Sequence, residues 1–187
     1  MIDAAVEAVQ KGQVVGLPTD TVYGVGVDPF DLDAVARLFE LKDRPPDKPV
    51  GVLVATLEQA REIAEIEGDA AVLAERHWPG PLTLVVTPKV VMADWVGDQV
   101  LRSLGVRVPD HPTAIELLGA SGPLAVTSAN RSGDQEATTD EEARAIFGDR
   151  VSVYLPGVAP GGEASTVVDA TGARLTVLRE GPVTLAP

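Results

Sequence analysis

The stretch Leu17 to Gly26, LPTDTVYGVG, decides how the fold is read. The residues just before it, QVVGLP from Gln13 to Pro18, form a short apolar strand that Pro18 stops. Four side chains able to hydrogen-bond follow at once: Thr19, Asp20, Thr21 and Tyr23. A simple turn would explain them. So would a site that grips a small polar molecule, because ligands of open α/β sheets sit beyond strand ends.

Working outward, IDAAVEAVQKG (2–12) reads as a helix closed by Gly12. DLDAVARLFELK (31–42) places Val35, Leu38, Phe39 and Lys42 at i, i+3, i+4 and i+7. That spacing buries the first three on one face and leaves Lys42 at the helix end. RPPDKP (44–49) cannot be helical, because each proline restrains its predecessor. VGVLV (50–54) is a buried strand, and TLEQAREIAEI (56–66) is a helix opened by a T-x-x-Q capping box. DAAVLAERH (69–77) is a helix broken by WPGP. LTLVVTP (82–88) and GVRVP (105–109) are strands, TAIELLG (113–119) is a helix, and PLAVTSAN (123–130) is a strand that runs into small polar residues. TTDEEARAIFG (138–148) is a capped helix with acids in its first turn, where the helix dipole favours them. VSVYLPG (151–157), STVVDAT (165–171) and LTVLREG (175–181) are three more strands. Helices and strands alternate and strands then accumulate, which predicts an α/β fold with a mixed sheet. No repeat, low-complexity tract or linker interrupts residues 1–187, so a single domain is expected.

Composition narrows the chemistry. Hydrophobic residues make up 45% of the 187 and aromatic ones only 4%, so Val, Leu, Ala and Ile must fill the core. The absence of cysteine excludes disulfides and thiolate catalysis. His77 and His111, the two histidines, share no ligand spacing and read as loop residues, so no metal site is expected. A net charge of −13 opposes broad nucleic-acid binding. No run of apolar residues reaches membrane-spanning length, and MIDAAVEAVQKG resembles neither signal nor anchor. A cytoplasmic protein is expected.

Several strands end in polar or basic residues, as LPTDTVYG does. Ser103 and Arg107 lie around one, Ser128 and Asn130 follow another, GGEAST with Ser165 precedes a third, and Arg179 ends a fourth. Lys42, Arg44, Lys48, Arg107 and Arg179 all fall at segment ends or in loops, which in an acidic chain suggests a local anion site. Plainer readings exist for each part: a loop at 19–23, a cationic pair serving the helix dipole at 42–44, an Asx turn at TSAN. Known signatures fail. GGEAST lacks the lysine of a Walker loop, GVG at 24–26 lacks the third glycine of a dinucleotide fingerprint, and no G-x-S-x-G occurs.

The ordered set PTDTVYG, KDRPPDKP, WPGPLT, RVPDHP, TSANRSG, STVVD and REGPV resembles the YrdC-like family from about Gly12 to Pro182. The resemblance implies a twisted open sheet with flanking helices and a concave basic ligand pocket. It also implies an enzyme that makes threonylcarbamoyl-AMP and pyrophosphate from L-threonine, bicarbonate and ATP. That product is the activated precursor of N6-threonylcarbamoyladenosine in tRNA, passed on to a separate tRNA-modifying transferase. Carried over residue by residue, Thr21, Arg107, Val126 and Ser165 would hold threonine, with Tyr23 in a lesser orienting role. Lys42 and Arg44 would face the ATP phosphates as catalytic groups. Lys48, Ser103, Ser128 and Asn130 would hold the nucleotide, and Arg179 would close over it. Mg2+ would arrive with ATP, needing few protein ligands. The chain departs from the family pattern at Leu53, Lys48, Val126, which can offer only backbone, and Glu136, whose charge would repel phosphate if it pointed inward. Two other readings remain open: a paralogue with another carbamoyl or acyl-adenylate substrate, and a non-catalytic RNA-binding module.

Overall fold

The structure, a computed structural model, describes residues 1–43 and 48–185. The helices are α1 (Ile2–Gln10), α2 (Leu32–Lys42), α3 (Leu57–Ile63), α4 (Gly68–His77), α5 (Pro112–Ser121) and α6 (Asp140–Phe147). The strands are β1 (Val15–Pro18), β2 (Tyr23–Val27), β3 (Gly51–Leu53), β4 (Leu82–Val86), β5 (Leu104–Arg107), β6 (Leu124–Ser128), β7 (Val153–Tyr154), β8 (Thr166–Asp169) and β9 (Thr176–Arg179). They form one open sheet in the order β7-β1-β2-β6-β3-β5-β4-β8-β9. Pairs β1/β7, β3/β5 and β4/β8 are parallel and the rest antiparallel, so the sheet is mixed, as the alternation of elements predicts.

Side chains alternate between sheet faces, so registry decides what each face carries. One face presents Tyr23, Val25, Val27, Val52, Leu82, Leu84, Leu104, Val106 and Ala125 to the larger core, which α2, α3, α4 and α6 close. The other presents Val15, Leu17 and Leu124 to a smaller core under α1 and α5. Those two helices cover only part of that face. No described helix covers its remainder, toward β3, β5 and β4.

Capping explains where helices begin. Thr56 accepts from Gln59 N at 3.1 Å and Thr139 from Glu142 N at 3.1 Å. The return bonds fall one residue earlier than a capping box places them. Gln59 Oε1 takes Ala55 N at 2.7 Å, and Glu142 Oε2 takes Thr138 N at 2.7 Å.

Two features differ from the sequence reading. Tyr23–Val27 is a central strand, although its glycines give it a weak strand pattern. Both glycines are demanded by packing: a Cβ on Gly24 would stand 2.8 Å from Val126 Cγ1. Lys42 ends its helix as the spacing predicts, but its side chain is buried there, 3% exposed, which the spacing did not indicate.

Candidate functional site

A cavity of about 410 Å³ opens on the uncovered part of the sheet face. Strand ends supply its rim: Thr19, Thr21, Val22, Ser128, Ser165 and Arg179. Its floor is the sheet itself. Gly24, Gly51 and Gly105 leave the face bare, and Leu53, Thr83, Arg107 and Val126 stand around them. The site therefore lies across the strands as well as beyond their ends. Register assembles it: Gly51 pairs with Val126, Leu53 with Arg107, and Gly24 with Ser128.

Arg107 organises one end. It is 7% exposed and donates through Nε to Gly80 O at 3.0 Å and through Nη1 to Thr21 Oγ1 at 3.1 Å. Nη2 meets Asp20 Oδ1 at 2.5 Å. The same Asp20 oxygen accepts Asp110 N at 3.0 Å, which ties the Thr19–Tyr23 loop to the end of β5. Burial pushes the guanidinium pKa down, Asp20 opposes that shift, and Arg179 adds to it. An arginine stays charged through such a shift, so this end is a fixed, largely buried cation. Thr21 is held in turn by Thr19 Oγ1 at 3.1 Å. Ser165 Oγ lies 2.8 Å from Thr83 Oγ1, and Arg179 Nη2 donates to Ser165 O at 2.8 Å and to its Oγ at 3.1 Å.

The other end is built on β6. Lys42 Nζ reaches from α2 to donate to Ser128 O and, at 2.6 Å, to Asn130 Oδ1. Ser128 Oγ donates to the same Asn130 oxygen at 2.8 Å, and Asn130 Nδ2 donates to Asp134 O at 2.7 Å. The amine thus stands behind the Ser128 wall of the cavity.

The structure brings Thr21, Arg107, Val126, Ser128, Ser165 and Arg179 to the cavity, with Lys42 and Asn130 adjoining through Ser128. Val126 contributes its side chain, not backbone alone, and with Leu53 forms an apolar wall. Three expected residues stand elsewhere. Tyr23 is fully buried on the opposite face and donates to Leu155 O at 2.7 Å, and burial pushes its phenol pKa up. Ser103 lines a separate cavity of about 230 Å³ with Asp98 and Arg102. Lys48 is exposed before β3. Arg44 and the three residues after it lie outside the described residues.

Sequence reasoning missed Thr83 as a site residue, and it marked Thr19 and Asp20 as candidates without assigning them a partner. The alternation of LTLVV already put Thr83 opposite two buried leucines. The roles of Asp20 and Thr19 depend on β5 lying beside their loop, which no local pattern reveals.

A family model for Sua5, YciO and YrdC proteins, described as "Telomere recombination", matches residues 7–181. A protein of Mycobacterium tuberculosis is 46% identical over 97% of this chain and 84% of its own length. The threonylcarbamoyl-AMP synthase of Marinobacter nauticus is 39% identical over 87% of each chain. The crystal structure of P. abyssi Sua5 complexed with L-threonine superposes with a TM-score of 0.90 at 37% identity, covering 96% of this chain and 54% of that one. This chain thus spans about half the length of the P. abyssi protein.

Proposed function

The chain belongs to the Sua5/YciO/YrdC family, and from that premise we propose that it is a nucleotidyltransferase forming threonylcarbamoyl-AMP and pyrophosphate from L-threonine, bicarbonate and ATP. The observation that carries this reading is the buried Arg107 guanidinium among Thr21, Thr83 and Ser165 in a ligand-sized cavity. A fixed fork beside several hydroxyls suits a small hydroxylated amino acid.

In this reading Arg107 takes the threonine carboxylate, Thr21 and Ser165 lie near its hydroxyl, and its methyl packs on Leu53 and Val126. The amine condenses with bicarbonate to a carbamate, with loss of water. A carbamate oxygen then attacks the α-phosphorus of ATP, forming one P–O bond as the bond to pyrophosphate breaks. No side-chain nucleophile is needed, because positioning and charge stabilisation supply most of such catalysis. Arg44 serves the phosphates directly and Lys42 from behind the Ser128 wall, Ser128 and Asn130 hold the nucleotide, and Arg179 closes over it. Mg2+ enters with ATP. The product serves N6-threonylcarbamoyladenosine formation in tRNA through a separate transferase, in the cytoplasm.

Mass spectrometry of the product from ATP, bicarbonate and L-threonine tests this. Threonylcarbamoyl-AMP is expected, and its absence with intact, folded protein would overturn the reading. The Leu53–Val126 wall also favours a second possibility, a different β-branched amino acid as substrate. Pyrophosphate release compared across threonine, serine and valine decides it. Serine, lacking one methyl, should react less well by about 1–3 kcal/mol.

A further inference from the structure

Glu136 is the only acid among the described residues lining the cavity, where it is half-buried. Its carboxylate makes no hydrogen bond or ion pair with a described residue. Its backbone is pinned, because the next residue, Ala137, accepts Tyr23 N at 2.9 Å and donates to Ala129 O at 2.9 Å. Ala129 follows Ser128, so these bonds set Glu136 on the wall backed by Lys42 and Asn130.

An unpaired carboxylate on that wall conflicts with a polyanionic substrate. Like charges close together in a half-buried site oppose binding strongly, and neither Arg107 nor Arg179, the cavity's described cations, touches Glu136. A divalent cation between carboxylate and phosphate removes the conflict. Mg2+ suits this role, since it is usually held by one or two carboxylates together with phosphate oxygens and water. The described residues contain no group of three or more acid, histidine or cysteine side chains that could hold a metal alone. The donor set therefore fits an ion carried in by its nucleotide, not one resident in the protein.

We propose that Glu136 is the protein's ligand, directly or through one water, to the Mg2+ that accompanies ATP. The inference rests on the reading that the cavity takes ATP, and the test separates the two. Calorimetry would measure ATP binding to the whole chain, without threonine, in excess Mg2+ and in EDTA. For the unaltered protein Mg2+ should tighten ATP binding about tenfold or more. For Glu136→Gln, which keeps the shape and breaks no observed contact, the gain should shrink to about threefold or less, with metal-free ATP bound at least as tightly as before. Electron paramagnetic resonance with Mn2+ in place of Mg2+ gives a second readout: the bound Mn2+–ATP spectrum should change in Glu136→Gln. An undiminished Mg2+ gain in the variant overturns the inference while leaving the ATP reading standing. So does a variant that loses threonine affinity but keeps its Mg2+ response, because that places Glu136 at the substrate amine. An unaltered protein that binds threonine but no ATP under either condition overturns both.

Discussion

Arg107 distributes its donors over three residues in two segments: Gly80, and Asp20 with Thr21 in the loop after β1. A lysine could hold the charge but not that fork. Arg107→Lys should therefore weaken threonine binding by about 1.5–3 kcal/mol, the range for hydrogen bonds to charged groups. The threonine KM should rise tenfold or more (about 1.4 kcal/mol per factor of ten) with a smaller change in kcat. An unchanged KM would remove Arg107 from threonine binding. Arg107→Ala is a poorer probe, because it strands Asp20 as a half-buried charge, and broken buried pairs cost about 3–5 kcal/mol of stability. His111 offers a separate test. Its Nδ1 is buried with no hydrogen-bond partner among the described residues, and burial pushes its pKa below the ordinary value, against the opposing pull of Asp20 and Asp110. Between that depressed value and the unfolded value near 6.5, the unfolded chain binds more protons, so this histidine's contribution is present above 6.5 and lost as the pH falls. Thermal melts at about pH 7.5 and 5.5 should show a smaller acid loss of Tm for His111→Gln than for the unaltered protein. Equal losses would contradict this.

Elements differ in how much of them the sequence made legible. α2 and α6 could be read because amphipathic spacing and N-cap residues are local signals. β2 could not, because a strand of the form YGVGV owes its existence to neighbours, with Gly24 and Gly26 each fitted against Val126. The candidate site was legible as a list of residues, since the small polar and basic groups cluster at segment ends. Its geometry was not. The floor arises from registry between β3, β5 and β6, and a one-residue slip in any of them would turn Leu53 or Arg107 to the other face. Lys42 shows the same limit: helical spacing placed it in the last turn, but only the position of β6 directs its amine to Ser128 and Asn130. The glycine floor makes a prediction at this scale. A Cβ on Gly51 would stand 2.9 Å from Gly105 O, a backbone atom of the paired strand. Gly51→Ala should destabilise the fold by about 1–3 kcal/mol, the usual penalty of overpacking. It should also weaken threonine binding by shifting β3 against β5. Urea unfolding with an unchanged midpoint would show that the two strands separate freely, and the rigid floor would then be wrong.

Across the whole molecule, charge is arranged in two opposed ways. The chain carries −13, yet the cavity collects Arg107 and Arg179, with Lys42 behind its wall. The excess negative charge is spread over exposed acids, where it repels itself and destabilises the compact state. Favourable surface pairing does little to offset this. Among the described residues the exposed ion pairs are Lys11–Glu7 and Arg61–Glu75, of a kind worth about 0–1 kcal/mol each. The remaining pair, Arg107–Asp20, is mostly buried and is screened far less by salt. Salt should therefore act on the two systems with opposite sign. Raising NaCl from about 0.1 M to about 1 M shortens the screening length from about 10 Å to about 3 Å. The urea midpoint should rise with an unchanged m value, because the repulsion relieved is larger than the attraction lost. ATP affinity should fall over the same range, since the cavity's cations attract an anion through a mouth open to solvent. Parallel urea melts and ATP titrations at both salt concentrations check this. A midpoint that falls with salt would mean that favourable ion pairs, not self-repulsion, dominate the surface. An ATP affinity that does not fall would mean that the cavity's positive groups are not aimed at the triphosphate.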